Sequence, residues 1–439
     1  MKFKKLIALM LAFVLVLAGC GGNTQGNQGE KPAANEEKSA TDKADDKKAT
    51  EEKKPAEGKN EAATIVFWHA MNGKQEEALT KLADDFMKEN TNIKVELQNQ
   101  TGYQELQQKI TATSTSPSDL PTMTQAYPDW MFNPIKDGLV HDLTNYTKQL
   151  KDYDDVLEGF RKGTQIDGKV YSIPFNKSTE VLWYNEDMLN ELGIEVPKTY
   201  DELKVAAQKI YKEKGIPGAG WDSLSNYYTT FITAEGKAFS KDFDVNSEES
   251  KKAVNYYLDG VKEGYFRIAG TDKYMSGPFG NEQVAMYIGS NAGESFVLQS
   301  AAGKFTTKAA PAPTGVAIQQ GTDVYVFEKA TDAEKEAAYK FLTFITSKEA
   351  QIEWGIATGY IPARKSSIES DEYKNSGSLI GPIISDATKN LYTNPVQGGA
   401  NQAYREAGTM LETVLGTPND ANVDKILADF QGVLEGIWE

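Results

Sequence analysis

The sequence predicts an α/β protein of two lobes, each a mostly parallel sheet flanked by helices, with a cleft between the lobes. Three observations carry this. Apolar strands and amphipathic helices alternate from Thr64 onward. The foldable part, about 375 residues, exceeds one comfortable hydrophobic core. An apolar tract from Val170 to Asn185, interrupted only by Pro174 and short polar stretches, reads as a strand running from one lobe into the other.

Residues 1–20 stand outside that fold. Lys2, Lys4 and Lys5 precede an apolar run from Leu6 to Leu17, too short to span a bilayer comfortably and suited to a cleavable export signal. The tetrad Leu17-Ala18-Gly19-Cys20 resembles the bacterial lipobox, which implies lipidation at Cys20 and anchoring to the outer face of the cell membrane. Cys20 is the only cysteine among 439 residues, so no disulfide can form within the chain. Residues 21–62 mix both charge signs with small polar residues and hold no large apolar side chain, the composition of a disordered tether. About forty such residues reach roughly 35 Å root-mean-square.

The fold is expected over residues 63–439. Thr64-Ile-Val-Phe-Trp68 reads as a buried strand. A helix follows over about 75–88, with Ala78, Leu79, Leu82, Ala83 and Phe86 on one face. Ile93, Val95 and Leu97 alternate as a second strand, 105–113 is helical again, and 121–127 supplies a third strand. Thr199 with Glu202, and Thr331 with Glu334, are capping boxes that open helices. The first carries Leu203, Ala206, Ala207 and Ile210 inward, the second Phe341, Leu342 and Ile345. The expected division is lobe 1 over 63–172 plus 305–345, and lobe 2 over 173–304 plus 346–439.

Composition removes several function classes. The formal net charge of −16 argues against nucleic acid or anionic lipid as partners. The two histidines, His69 and His141, lie far apart in sequence, and the foldable part has no cysteine, so neither a zinc-type ligand set nor a thiol nucleophile is expected. No glycine-rich phosphate cradle follows a strand, so no nucleotide cofactor is expected. Carboxylates are abundant without any pair being singled out, which leaves a surface hydrolase as a remote alternative. What stands out is a set of aromatic and polar loops at expected strand ends: Gln100 to Tyr103, Ala126 to Trp130, Asn176 to Thr179, Gly220 to Asp222, Gly289 to Gly293 and Thr358 to Pro362. Aromatic faces beside hydroxyls and amides suit a polyol or sugar, whose ring faces are apolar and edges polar.

At these loops the chain resembles family 1 extracellular solute-binding proteins of ABC importers, within them the branch that captures sn-glycerol-3-phosphate. The likeness runs from about Ile65 to Gln431 and is densest in Phe67 to Gly73, Pro174 to Asn185 and Thr358 to Pro362. It implies a type II periplasmic-binding-protein-like fold, no catalysis, no cofactor, no metal, and a monomer that hands a small polar solute to the transmembrane permease subunits. It also implies a ligand-binding set of Tyr103, Ser178, Ser290 or Asn291, Gly321, Tyr360 and Arg405, with Trp221 stacking on the solute's carbon skeleton. Arg405 offers a planar fork of donors suited to phosphate. The chain departs from the family pattern twice: Pro128, followed by Asp129, stands where a glutamate receives glycerol hydroxyls, and Leu224 replaces a second stacking tryptophan. These departures point toward a glycerophosphodiester whose quaternary ammonium meets Tyr127, Trp130 or Tyr228 beside Asp129. A neutral sugar or oligosaccharide is the alternative.

Overall fold

The computed structural model describes residues 62–438. The expected signal peptide 1–20, its lipidation site Cys20 and all but the last residue of the expected tether 21–62 lie outside the described residues.

Strand β1 (Ala63–His69) pairs in parallel with β2 (Ile93–Asn99) along its whole length, and with β3 (Met123–Ala126) on its other side. Successive side chains of β1 enter opposite cores. Ile65 and Phe67 pack with Leu79, Leu82 and Phe86 of helix Lys74–Glu89, while Val66 and Trp68 pack with Leu106 and Ile110 of helix Tyr103–Thr113. Both faces are covered, which explains the unbroken apolar run.

A small hairpin, β4 (Gln165–Ile166) and β5 (Lys169–Val170), leads into β6 (Ser172–Ser178), an edge strand of this first sheet. A single residue, Thr179, then carries the chain into β7 (Glu180–Asn185) of the second sheet. Thr179 is tied on both sides: its N–H donates to Asn291 Oδ1 at 2.6 Å and its hydroxyl to the Ile318 carbonyl at 2.8 Å. The second sheet adds β8 (Ala219–Trp221), β9 (Phe266–Ile268), β10 (Met286–Ser290) and β11 (Thr307–Pro311), in the order β11-β7-β10-β8-β9. The chain returns through β12 (Ala317–Ile318) into β13 (Gln320–Val326), which lies between β3 and β6. A late strand, β14 (Leu391–Tyr392), pairs with β12.

Each five-stranded sheet is mostly parallel, as expected, with four strands running one way and a single strand reversed. In the first, β13 runs antiparallel to both β3 and β6, and in the second, β7 runs antiparallel to both β10 and β11. The reversed strand in each sheet is the one by which the chain enters it from the other, β7 into the second sheet and β13 back into the first. The expected lobe boundaries shift. Pro174 lies inside β6, in the first sheet, where it needs no donor because β6 is an edge strand and the β13 ladder slips register between Thr322 and Asp323. Thr307–Pro311 belongs to the second sheet, and helix Lys348–Thr358 packs on the first lobe, with Trp354 stacked 4.8 Å from Phe175.

The caps behave locally as expected. Thr331 and Glu334 form a reciprocal capping box. Thr199 accepts from Glu202 N–H at 3.1 Å, but the Glu202 carboxylate reaches back one residue further, to Lys198 N–H at 2.7 Å. Among the described residues no helix is long and apolar enough to cross a membrane.

Candidate functional site

A cleft of about 440 Å³ lies where the first sheet's loops face the second lobe. Its first-lobe wall is aromatic. Tyr103 opens helix Tyr103–Thr113, and its ring meets Tyr127 edge-on at 5.4 Å and Trp130 at 6.2 Å, with Tyr127 and Trp130 5.0 Å apart. The Tyr103 hydroxyl bonds to that of Tyr360 at 2.7 Å, and burial pushes the Tyr103 phenol well above its ordinary range. Tyr360 is itself buried, stacked on Trp354, so it supports Tyr103 from behind.

Asp129 lies between the aromatic wall and the second lobe. Its Oδ2 accepts from Asn401 Nδ2 at 2.6 Å, and Asn401 Oδ1 accepts from Gln107 Nε2 at 2.9 Å. Asn401 opens helix Ala400–Gly416, whose Ala403, Ala407 and Leu411 are packed in the second lobe's core, so these bonds join the lobes across the cleft. Burial raises the Asp129 carboxyl above the usual range, against the opposing pull of Asn401 and, more weakly, of Arg405.

Arg405 lines the same cleft, exposed, and no hydrogen bond or ion pair engages its guanidinium among the described residues. Lys177 also lines it but is 2% exposed, its Nζ 2.8 Å from Asp323 Oδ1, while Asp323 Oδ2 accepts from the Ser172 hydroxyl. Gly321 sits opposite Lys177 with φ +94°, and a Cβ there would lie 1.8 Å from the Asn176 carbonyl oxygen. Only glycine allows β13 to pass this close.

Of the expected ligand-binding set, Tyr103, Asp129, Gly321 and Arg405 thus meet in one cleft, with Tyr360 just behind. Three others sit at the junction between the sheets. Ser178 is buried at the end of β6, Ser290 uses its hydroxyl to cap Ala292 N–H, and Asn291 is fully buried, bridging Thr179 N–H to the Gly359 carbonyl. Trp221 is not at the cleft. It is 1% exposed, its ring 4.9 Å from Tyr227, 4.7 Å from Tyr257 and 5.1 Å from Phe266 in the second lobe's core. Tyr228 is likewise buried, its hydroxyl bonded to Ser250 at 2.6 Å. Both follow from the run Tyr227, Tyr228, Phe231 and Ile232, which presents a wide apolar face to the sheet.

Sequence reasoning passed over Asn401, Tyr404 and Gln320, all lining the cleft, and marked Lys177 only as part of the loop Asn176 to Thr179. For Asn401 a signal existed: it precedes Arg405 by four residues on one helix, hence on the same face. Gln320 carried no such mark, because its place depends on where β6 and β13 meet.

The arrangement combines flat aromatic surface, carboxylate and amide acceptors and one free guanidinium, a set suited to gripping a polar molecule. Comparisons with known proteins agree on the class. Residues 81–379 match the family model described as bacterial extracellular solute-binding protein. The chain is 25% identical over 335 residues to the sn-glycerol-3-phosphate-binding periplasmic protein of Escherichia coli K12, covering 70% of this chain and 75% of that one. It shares its fold with UgpB from Mycobacterium tuberculosis in complex with glycerophosphocholine (TM-score 0.77, 21% identity, 85% of this chain and 98% of that chain). It also shares it with maltose-bound MalE3 of T. maritima (TM-score 0.75, 20% identity, 85% and 100%). The family match spans well over half of the chain, and the cleft lies between two lobes of that fold: the protein belongs to the bacterial extracellular solute-binding proteins, the capturing components of ABC-type importers.

Proposed function

We propose that this protein captures a glycerophosphodiester, or sn-glycerol-3-phosphate itself, in the cleft and delivers it unchanged to the transmembrane subunits of an importer, acting as a monomer tethered to the outer face of the membrane through Cys20. The observation that carries the reading is Arg405, a guanidinium without a protein partner at the rim of a cleft that also holds the Tyr103, Tyr127 and Trp130 rings and Asp129. A phosphate takes the guanidinium fork, and a cationic head group takes the aromatic faces next to the carboxylate. The relatives that bind sn-glycerol-3-phosphate and glycerophosphocholine support the same chemistry.

A sugar is the second reading. The same rings with Asp129 and Gln320 suit hydroxylated ring edges, and the MalE3 neighbour was solved with maltose. Arg405→Ala separates the two. With glycerophosphocholine, loss of a charged hydrogen-bond partner should weaken binding by about 10- to 100-fold. With maltose, affinity should not change. A thermal-shift panel of both compounds reads this directly, since a ligand at a hundred times its Kd stabilises by about 2.7 kcal/mol. Unchanged glycerophosphocholine binding by R405A refutes the phosphodiester reading.

A further inference from the structure

Behind the cleft runs a hydrogen-bond relay built on a carboxyl that faces no solvent. Glu180, the first residue of β7, is 3% exposed, and its Oε1 accepts from Asn226 Nδ2 at 2.8 Å. Asn226 is equally buried, held in the first turn of helix Leu224–Ala234 by its N–H bond to the Ser223 hydroxyl at 3.1 Å. With Nδ2 turned to Glu180, the amide's Oδ1 points the other way. There it accepts from Gln320 Nε2 at 3.2 Å and from the Tyr404 hydroxyl. Gln320 and Tyr404 both line the cleft.

The direction of these donors has a consequence at the cleft surface. Gln320 spends its amino group on Asn226, so its Oε1 is the atom left over. Tyr404 spends its proton on Asn226 and lies 3.5 Å from the Ser223 hydroxyl, so what remains on its oxygen is lone-pair capacity. Asp129 nearby adds a carboxyl to the same wall, one of its oxygens accepting from Asn401. This stretch of wall therefore offers acceptors, while the guanidinium of Arg405 is the donor beside it.

We propose that Glu180 and Asn226 are positioning residues that fix Gln320 and Tyr404 as hydrogen-bond acceptors, so that this wall selects a solute whose facing end carries hydroxyl groups. The proposal rests on the reading of the cleft as the solute site and names what one wall of it recognises: a polyol end, such as glyceryl hydroxyls. An analogue with those hydroxyls methylated offers no proton and leaves the acceptors unpaired, a loss of a kind that polar sites discriminate strongly.

The test uses the full chain, wild type and the variants Glu180→Leu and Glu180→Gln, with glycerophosphocholine and its glyceryl bis-O-methyl ether as the pair of probes. Wild type should prefer the free diol by at least about tenfold, one hydrogen bond's worth. E180L leaves Asn226 free to turn over and should shrink the preference below about threefold. E180Q again places an acceptor opposite Nδ2 and should restore it. A folded E180L that keeps the full preference overturns the proposal. A second measurement does not depend on the solute: with selective ¹⁵N-asparagine labelling, the Asn226 side-chain amide should give two separated, exchange-protected proton signals in wild type and E180Q. These should merge with the exposed asparagines in E180L, and protected signals in E180L overturn the relay. If neither probe binds wild type, the glycerophosphodiester reading falls, and the amide signals still decide the relay.

Discussion

Replacing Glu180 by glutamine should stabilise the protein, and by an amount that grows with pH. Burial, with a smaller repulsive contribution from Asp222, pushes the Glu180 carboxyl up from 4.5 to about 8, despite the opposing bond from Asn226. A raised folded-state value means that the stability associated with this group is fully present below pH 4.5 and is lost as pH rises through 8, because the unfolded chain ionises first. At pH 7 the unfolded carboxyl is about 2.5 pH units past its midpoint while the folded one is still protonated, which at about 1.4 kcal/mol per unit costs about 3 kcal/mol. At pH 5 the same reckoning leaves less than about 1 kcal/mol, and at pH 9 it approaches about 5 kcal/mol. Glutamine has the shape of the neutral acid, keeps an acceptor for Asn226 and never ionises. Calorimetry and urea titration of E180Q against wild type at pH 5, 7 and 9 should show a Tm gap that opens from near zero to several degrees. A gap that is constant across that range would show that Glu180 is ionised in the fold and would refute the reasoning.

Three further outcomes follow from the geometry, alongside the Arg405 test. Trp221→Ala should cost about 3–5 kcal/mol in denaturant unfolding through the cavity it leaves, and should weaken all solutes alike rather than one class. Gly321→Ala should destabilise by at least about 2 kcal/mol, since its methyl meets the Asn176 carbonyl and its φ is +94°, whereas Gly315→Ala, with open space around it, should cost only its backbone strain. Asn401→Ala removes both hydrogen bonds that join the lobes beside Asp129, worth about 1–3 kcal/mol together. Small-angle scattering should then show a larger radius of gyration without solute, and an unchanged radius would remove Asn401 from any part in closure.

Much of the scaffold could be read from local pattern. The β1 run, the amphipathic face of helix Lys74–Glu89 and the Thr331 capping box are all decided within a few residues of chain, and they stand where expected. The loops that bring Tyr103, Asp129 and Arg405 to one cleft were marked by their aromatic and polar composition together with a family likeness. What escaped depends on distant partners. Glu180 and Asn226 lie 46 positions apart, and nothing in either neighbourhood announces the bond between them. The tract from Val170 to Asn185 read as one strand, and its division at Thr179 into β6 and β7 is decided by β13 and β10, the distant strands that each half joins. Trp221 had the right neighbours in sequence for a solute contact, but the rings of Tyr257 and Phe266 enclose it from elements that only the tertiary fold brings near.

The place of β13 bears on how the chain is made. Every strand of the second sheet lies between Glu180 and Pro311, so that sheet can finish while the first is still incomplete. Until Gln320–Val326 emerges, β3 and β6 have no partner between them, and each presents a raw edge of unpaired amides and carbonyls. A nascent chain halted near residue 315 would be a sticky object, half finished and prone to recruit another copy along those edges. The seven residues of β13 cover both facing edges at once, which makes the insertion of that one strand the step that removes the hazard between β3 and β6.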